Sequence, residues 1–460
     1  MAYTFCVDFG STFTKLCVLD LDNGELVMTT RHPTTVDTDA SIGLLADLED
    51  AKRYVGSKGV ESAQIMTSSS VAGGLRMVVI GLTKRFSLLA GKNVALGAGA
   101  RIIKTYENYL TDGDIDEIES INPEIILLCG GIEGGNADRL IHNAKLLKTA
   151  TISSYVVFAG NREIASYIRQ TLMAGSIRCY IAENVFPSYG KLNTAPAGEI
   201  IRQLFMERIV GAKGLAKAFP IIGNVLMPTP AAVLEGGRLL AMGTEGVAGL
   251  SNMMVFDVGG ATTDVYSYVE ETPGDAKHVG APEPYAKRTV EGDLGVRSSC
   301  MSLAESMDFA AIARQIGITE EELTNSCRMR ETRSDYVADD AKQKQIDCAL
   351  AQEAVKTSAR RHCGRITNAY AKTASEIVEG KNLKEVRAIL GTGGPVIHSE
   401  NPAEVLSNAI CGAFEKTMLL PEQADFYLDK SYILYAVGLC AGLNPEGALH
   451  IAKQNIVKVD

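Results

Sequence analysis

Asp8-Phe-Gly-Ser-Thr-Phe-Thr-Lys15 and Asp257-Val-Gly-Gly-Ala-Thr-Thr-Asp264 share one local design. In each, an apolar run ends in an Asp, a turn of glycine and small hydroxyl residues follows, and a β-branched run leads away. Such a hairpin presents backbone N–H groups and hydroxyls to an anion. Glycine lets the backbone approach with no side chain in the way. An Asp at a strand end suits the water shell of Mg²⁺, which prefers oxygen ligands and keeps several waters. Two such turns predict a triphosphate with its Mg²⁺ clamped from both sides. Asp8 and Asp257 are the candidate metal-binding and catalytic carboxylates. Gly10, Ser11, Thr12, Gly259, Gly260, Ala261 and Thr262 are the candidate phosphate-binding residues. Lys15 reads either as a point charge on the β- or γ-phosphate or as an exposed strand lysine.

The first turn opens a meander. Residues 4–8 and 13–21 read as strands, Asp22-Asn-Gly24 as a hairpin turn and 25–31 as a third strand. A different rhythm follows. The apolar runs 77–81, 124–129, 155–159 and 178–181 are continuous, and helices are expected between the later ones, over 136–149 and 162–174. That pattern predicts a parallel sheet covered on both faces. Another helix is expected over 199–217, and 252–268 repeats the opening hairpin. Residues 298–380 are helical in composition, 386–390 read as a strand and 391–394 as a loop. The expected organisation is a first lobe from 1–59, an inserted α/β domain over 60–200, connecting helices over 201–250, and a second lobe over 251–460.

Composition narrows the function classes. Of 460 residues, 46% are hydrophobic and 22% charged, which excludes disorder as the main state. A net charge of −10 argues against a nucleic-acid partner, since phosphate neutralisation needs a basic surface. No run of about 18 apolar residues is present, so no membrane span is expected. The opening residues carry no basic, apolar leader, and the ten cysteines include no C-x-x-C. A cytoplasmic location is therefore expected. The six histidines are dispersed, with neither H-E-x-x-H nor the D-x-H-x-x-G of a base-off corrinoid ligand.

Further motifs follow in order: Met227-Pro-Thr-Pro-Ala-Ala-Val-Leu-Glu-Gly236, then Leu390-Gly-Thr-Gly-Gly-Pro395, then the small-residue helix Tyr435-Ala-Val-Gly-Leu-Cys-Ala-Gly442. With the two Asp-led turns, they resemble the phosphate, connecting and adenosine motifs of the actin, Hsp70 and sugar kinase superfamily. The resemblance implies a two-lobed α/β ATPase fold with a nucleotide cleft, ATP or ADP with Mg²⁺ as cofactors, and Gly393 and Gly394 beside the adenosine. Five phrases narrow it: Pro33-Thr-Thr-Val-x-Thr-Asp39, Ser69-Ser-x-Ala-Gly-Gly-Leu-Arg-Met77, Gly130-Gly-x-x-Gly-Gly-Asn136, Met227-Pro-Thr-Pro-Ala-Ala-Val233 and Lys287-Arg-Thr-Val-Glu-Gly-Asp-Leu-Gly-Val-Arg297. They resemble the MutL/GlmL family of glutamate mutase accessory proteins, which is unrelated to the mismatch-repair protein of that name. The resemblance implies a chaperone-like ATPase, a reactivase, that assists an adenosylcobalamin-dependent mutase or aminomutase. Met227 stands where the Hsp70 branch has an acidic, water-orienting residue. Asp257, or Asp8 through a metal-bound water, would have to serve, and either slow hydrolysis or a need for the partner protein is expected.

Several readings stay open on sequence alone. Residues 291–297 either cover the nucleotide or form a surface loop. Ser68 to Ser70 with Gly73 and Gly74 either bind an anion or pack a tight junction. The loop from Gly130 to Asn136 and the strand end at 159–161 either face a mutase and its cofactor or serve packing or a homodimer. Rival functions on the same fold are a small-molecule kinase, with Asp293 or Asp264 as base, and a nucleotide-sensing scaffold. A third is an iron–sulfur activator ATPase drawing on Cys300, Cys327, Cys348 and Cys363.

Overall fold

Residues 4–33 form the expected meander: β1 (Thr4–Phe9), β2 (Phe13–Asp20) and β3 (Glu25–Pro33), each antiparallel to the next. Asp20 closes the second turn by accepting from Asn23 N at 3.0 Å and Asn23 Nδ2 at 2.8 Å. The helix α1 (Ser41–Glu61), kinked at Gly56, was not foreseen, because a buried Asp47 interrupts its apolar face. It leads to β4 (Gln64–Ser69), which pairs parallel with β1. Strand alternation puts Phe5, Val7, Phe9, Leu16 and Val18 into a core with Leu44 and Ala51 of α1. The opposite face of the same strands carries Cys6, Asp8, Lys15 and Cys17.

This computed structural model describes residues 3–10, 13–35, 39–70, 75–210, 215, 217–223, 225–270, 277–333, 335–367 and 377–460. They group into two units: Met1–Glu235 with Val279–Pro284 and Gly438–Asn444, and Gly236–His278 with Tyr285–Val437 and Pro445–Asp460.

The first unit contains a second, wholly parallel sheet. Its strands are β5 (Arg76–Gly81), β6 (Arg101–Glu107), β7 (Ile125–Gly130), β8 (Tyr155–Gly160) and β9 (Cys179–Ile181), in the order β6-β5-β7-β8-β9. Between them run α2 (Leu89–Gly97), α3 (Asp112–Ile121), α4 (Asp138–Leu147) and α5 (Ala165–Met173). Met77, Val79, Ile125, Leu127 and Val157 join the core of the first sheet. Val78, Ile80, Ile126, Leu128 and Phe158 pack with Ile118, Leu140, Ile168 and Leu172. Burial on both faces explains the continuous apolar runs. The edge strand β6 escaped that pattern because Arg101, Lys104 and Glu107 are exposed. The helix expected at 199–217 is α6 (Ala195–Val210). It is followed by α7 (Phe219–Ile222), by β10 (Met227–Pro228), parallel to β4, and by α8 (Thr229–Met242).

The second unit repeats the meander. β11 (Met253–Val258) and β12 (Thr263–Tyr268) form the hairpin. β13 (Lys277–His278) enters a small sheet, and β14 (Ala286–Glu291) completes the meander. The expected helical region is α9 (Cys300–Ala304), α10 (Phe309–Ile316), α11 (Glu320–Thr332) and α12 (Ala341–His362). β15 (Arg365–Ile366) and β16 (Ile377–Glu379) complete the small sheet with β13. β17 (Ala388–Thr392) is parallel to β11, so the strand expected at 386–390 runs two residues further and the loop begins only at Gly393. Then come α13 (Gly394–Ile397), α14 (Pro402–Ser407), β18 (Asp425–Leu428), parallel to β17, α15 (Leu434–Cys440), α16 (Pro445–Asn455) and β19 (Val457–Val459).

The first sheet runs β3-β2-β1-β4-β10 and the second β14-β12-β11-β17-β18, followed by β19. In both, an antiparallel meander is extended from its first strand by two parallel strands. The fold is mixed α/β, as expected, with one sheet design built twice. Among the described residues no helix is long and apolar enough to cross a membrane.

Candidate functional site

In the first sheet, Asp8 stands directly across the ladder from Lys15 on one side and Ser68 on the other. It is 2% exposed. Its Oδ1 accepts from Ser68 Oγ at 3.1 Å and from the hydroxyl of Thr229, the first residue of α8. Its Oδ2 lies 3.7 Å from Lys15 Nζ. A buried carboxylate is tolerated only when so paired and hydrogen-bonded. Ser68 and Thr229 were not singled out as partners of Asp8 from sequence. The Pro-Thr pattern contains Thr229, and Ser68 belongs to the serine run read as an anion-binding or packing turn; Ser68 lies on β4 and donates to Asp8. The turn is closed by Gly10 N donating to Phe13 O at 3.0 Å. Ser11 and Thr12 lie outside the described residues, as do Gly73 and Gly74. Met227 pairs with Ser68 in register, at the entry to α8.

The second turn is built the same way. Gly259 N donates to Thr262 O at 2.9 Å, the equivalent of the Gly10 bond. Asp257, at the end of β11, faces Asp264 on one side and Thr392 on the other. Asp264 is held by Arg288, whose Nε donates to Oδ1 at 2.8 Å and whose Nη2 is 2.6 Å away. Burial works against the Arg288 charge, but Asp264 and Tyr266 outweigh it and hold its pKa above the ordinary value. Thr262 Oγ1 donates to the other oxygen of Asp264 at 3.3 Å, so Asp264 braces the turn itself.

The carbonyls of this turn are taken by the chain. Val296 N donates to Gly259 O at 3.1 Å, Arg297 N to Gly260 O at 2.7 Å and Ser299 Oγ to Ala261 O at 2.9 Å. Gly295 makes this clasp possible, since a Cβ there would lie 2.3 Å from the Ala261 carbonyl carbon. The N–H groups of Gly260 and Ala261 have no partner among the described residues. That is the polarity an anion requires. Gly393 packs on the same strand end. It has a φ of +90°, and a Cβ would lie 2.1 Å from Val258 O. Gly394 begins α13, next to Pro395.

The remaining candidates fall elsewhere. The loop after β7 is tied down by two buried asparagines: Asn161 Nδ2 donates to Gly135 O at 3.2 Å and Asn184 Nδ2 to Gly131 O at 2.8 Å. Cys300 and Cys327 are hydrogen-bonded to each other, while Cys348 contacts Ser399 and Cys363 donates to Arg360 O. His362 is buried between Thr289 and Ser267, each 2.8 Å from a ring nitrogen. Burial first, then Lys287 and Lys381, push its pKa well down.

The residues suit a hydrated Mg²⁺. Thr392 Oγ1 is buried, has no hydrogen-bond partner and belongs to the residue paired with Asp257. A buried hydroxyl of that kind calls for a water or ligand nearby. Asp8, with its oxygens engaged by Ser68, Thr229 and Lys15, suits contact through metal-bound water better than direct ligation.

The sequence profile of the family described as MutL protein matches residues 4–456. Protein MutL of Clostridium tetanomorphum is 38% identical over 458 residues, covering 98% of this chain and 99% of that protein. Among solved structures, an activator of 2-hydroxyisocaproyl-CoA dehydratase from Clostridium difficile with bound ADPNP aligns at 10% identity and a TM-score of 0.31. That alignment covers 98% of this chain and 97% of the activator. A xylulose kinase from Bifidobacterium adolescentis aligns at 11% identity and 0.33, covering 98% and 93%. At such scores the repeated strand order, rather than the superposition, carries the fold. The match along nearly the whole chain, by profile and by a relative of almost equal length, shows that the chain belongs to the MutL protein family.

Proposed function

We propose that this chain binds Mg–ATP through its two Asp-led turns and hydrolyses it slowly in the service of an adenosylcobalamin-dependent mutase or aminomutase. The observation that carries the nucleotide reading is the recurrence of one turn, with its Asp in the same register position, in two sheets that share a five-strand order.

Gly10, Ser11, Thr12, Gly259, Gly260, Ala261 and Thr262 are proposed around the phosphates, with Gly393 and Gly394 beside the adenosine. Lys15 carries positive charge toward the phosphates while neutralising Asp8. Bound Mg²⁺ would screen the phosphate charge. Asp257, with Asp8, would hold the hydrated ion and orient the attacking water, since Met227 offers no carboxylate. A partly exposed carboxylate gives modest general-base assistance, consistent with slow turnover.

The mutase assignment draws on the family and on the parallel sheet, which a plain kinase does not need. Its glycine-rich strand ends at 130–136 and 159–161 are the proposed docking face. A nucleotide state shifts a partner only by its difference in binding free energy between the two conformations. The test is to inactivate a cobalamin mutase by turnover and add this protein, ATP, Mg²⁺ and fresh adenosylcobalamin. ATP-dependent recovery is expected, together with phosphate release without an added acceptor. Phosphate release with no recovery of any cobalamin mutase encoded nearby would overturn the reactivase role. Turnover only with an added alcohol or acid acceptor would make the protein a kinase.

A further inference from the structure

The phrase Lys287 to Arg297 is not used up by phosphate binding, and its last seven residues lie against the second turn. We propose that residues 291–297 form a strap that transmits phosphate occupancy of the Gly259 to Thr262 turn to helix α12. The proposal rests on the nucleotide reading above and adds to it the route by which the helical region learns of the nucleotide.

The strap is pinned to α12 at both ends. At its C-terminal end, Arg297 grips Asp347 with two parallel bonds, Nη1 to Oδ1 at 3.0 Å and Nη2 to Oδ2 at 2.8 Å. Its Nε donates to Tyr336 O at 3.1 Å. Asp347 also receives Arg330 Nε from α11 at 2.8 Å, and Arg330 is fully buried. At the N-terminal end, Arg361 bridges Glu291 at 2.8 Å and Asp293 at 2.8 and 2.9 Å. Asp347 and Arg361 are separated by about 21 Å along α12, at 1.5 Å per residue. The strap is thus held over most of the helix rather than at one point.

The middle of the strap is the part that touches the turn. Val296 and Arg297 donate their N–H groups to Gly259 and Gly260, and Gly295 sits against Ala261. An anion drawing the Gly260 and Ala261 amides toward itself must carry the attached carbonyls, and therefore the strap, with it. Bidentate guanidinium–carboxylate contacts fix orientation as well as distance, so displacement of Arg297 reaches Asp347, Arg330 and the Tyr336 ring. Arg297, Arg330 and Arg333 surround that ring at 5.9, 5.2 and 5.7 Å.

The chain has no Trp, so Tyr336→Trp places a single tryptophan, excited selectively over the tyrosines, at this junction. Saturating Mg²⁺ with a non-hydrolysable ATP analogue should shift its emission. Arg361→Met, at a partly exposed pin, should cut the amplitude at saturation at least threefold, and Arg361→Lys should restore part of it. Arg297→Met should weaken analogue binding about tenfold by calorimetry. An unaltered chain that binds no nucleotide overturns the nucleotide reading and the strap with it. Binding without an emission shift, or a full shift surviving Arg361→Met, overturns the strap alone.

Discussion

Lys15 and Asp264 occupy the same place in the two copies of the hairpin, seven residues after the leading Asp and directly across the ladder from it. In the first copy the pair is neutral, with Lys15 Nζ 3.7 Å from Asp8. In the second, two carboxylate residues face each other, an unfavourable cross-strand pair. Arg288, brought by the next strand, supplies the missing charge.

Removing that charge should be costly. Arg288→Met leaves Asp264 buried and uncompensated, and breaking such a pair typically costs about 3–5 kcal/mol. The double variant Arg288→Met with Asp264→Asn should recover much of the loss, because no unpaired charge remains. Urea unfolding of the three proteins measures this. Equal stability of the single and double variants would contradict it.

Asp257→Ala should abolish Mg²⁺-dependent nucleotide binding or turnover with little change in melting temperature. A partly exposed carboxylate at a strand end contributes little packing. Calorimetry with and without Mg²⁺ is the measurement, and unchanged affinity and turnover would remove Asp257 from the site.

Asp47 should make stability pH-dependent. It is fully buried on α1, with His32 Nε2 3.9 Å away, and His32 in turn 2.9 Å from Asp50. Burial raises its pKa from 3.8 to about 7, against the pull of His32. The folded chain therefore holds this proton more tightly than the unfolded chain. Its contribution is full below about pH 4, falls as the pH rises toward 7 and is flat above. The tighter hold on that proton is worth about 4 kcal/mol at most. Asp47→Asn should accordingly gain on the wild type as pH rises from 5 to 8. A stability difference constant over that range would refute the account.

Gly393→Ala should distort the strand end that carries Asp257. The added Cβ would lie 2.1 Å from Val258 O at a φ of +90°, so the backbone must shift. A loss of about 1–3 kcal/mol is expected from the left-handed conformation and the displaced contact, with weaker nucleotide binding. Thermal denaturation and nucleotide titration report the two effects separately.

The sequence by itself determined the features that depend on neighbours in the chain. The meander at 4–33, the two Asp-led turns and four strands of the parallel sheet were legible, because turn residues, period-two alternation and continuous apolar runs are local signals. The edge strand β6 was not, since an edge exposes charged side chains and loses the continuous run. Tertiary structure alone decided what stands on the parallel-paired side of each Asp. Ser68 reaches Asp8 from sixty positions away, and Thr392 comes opposite Asp257, only because β4 and β17 pair parallel with the first strand of each meander. Parallel pairing joins distant segments through backbone bonds that favour no particular side chain, so sequence pattern does not announce its register. The grip of Arg288 on Asp264 and the two pins of the 291–297 strap arise in the same way. Each is a charge satisfied across elements, where burial in a low-dielectric interior demands a partner and only the assembled fold determines which one.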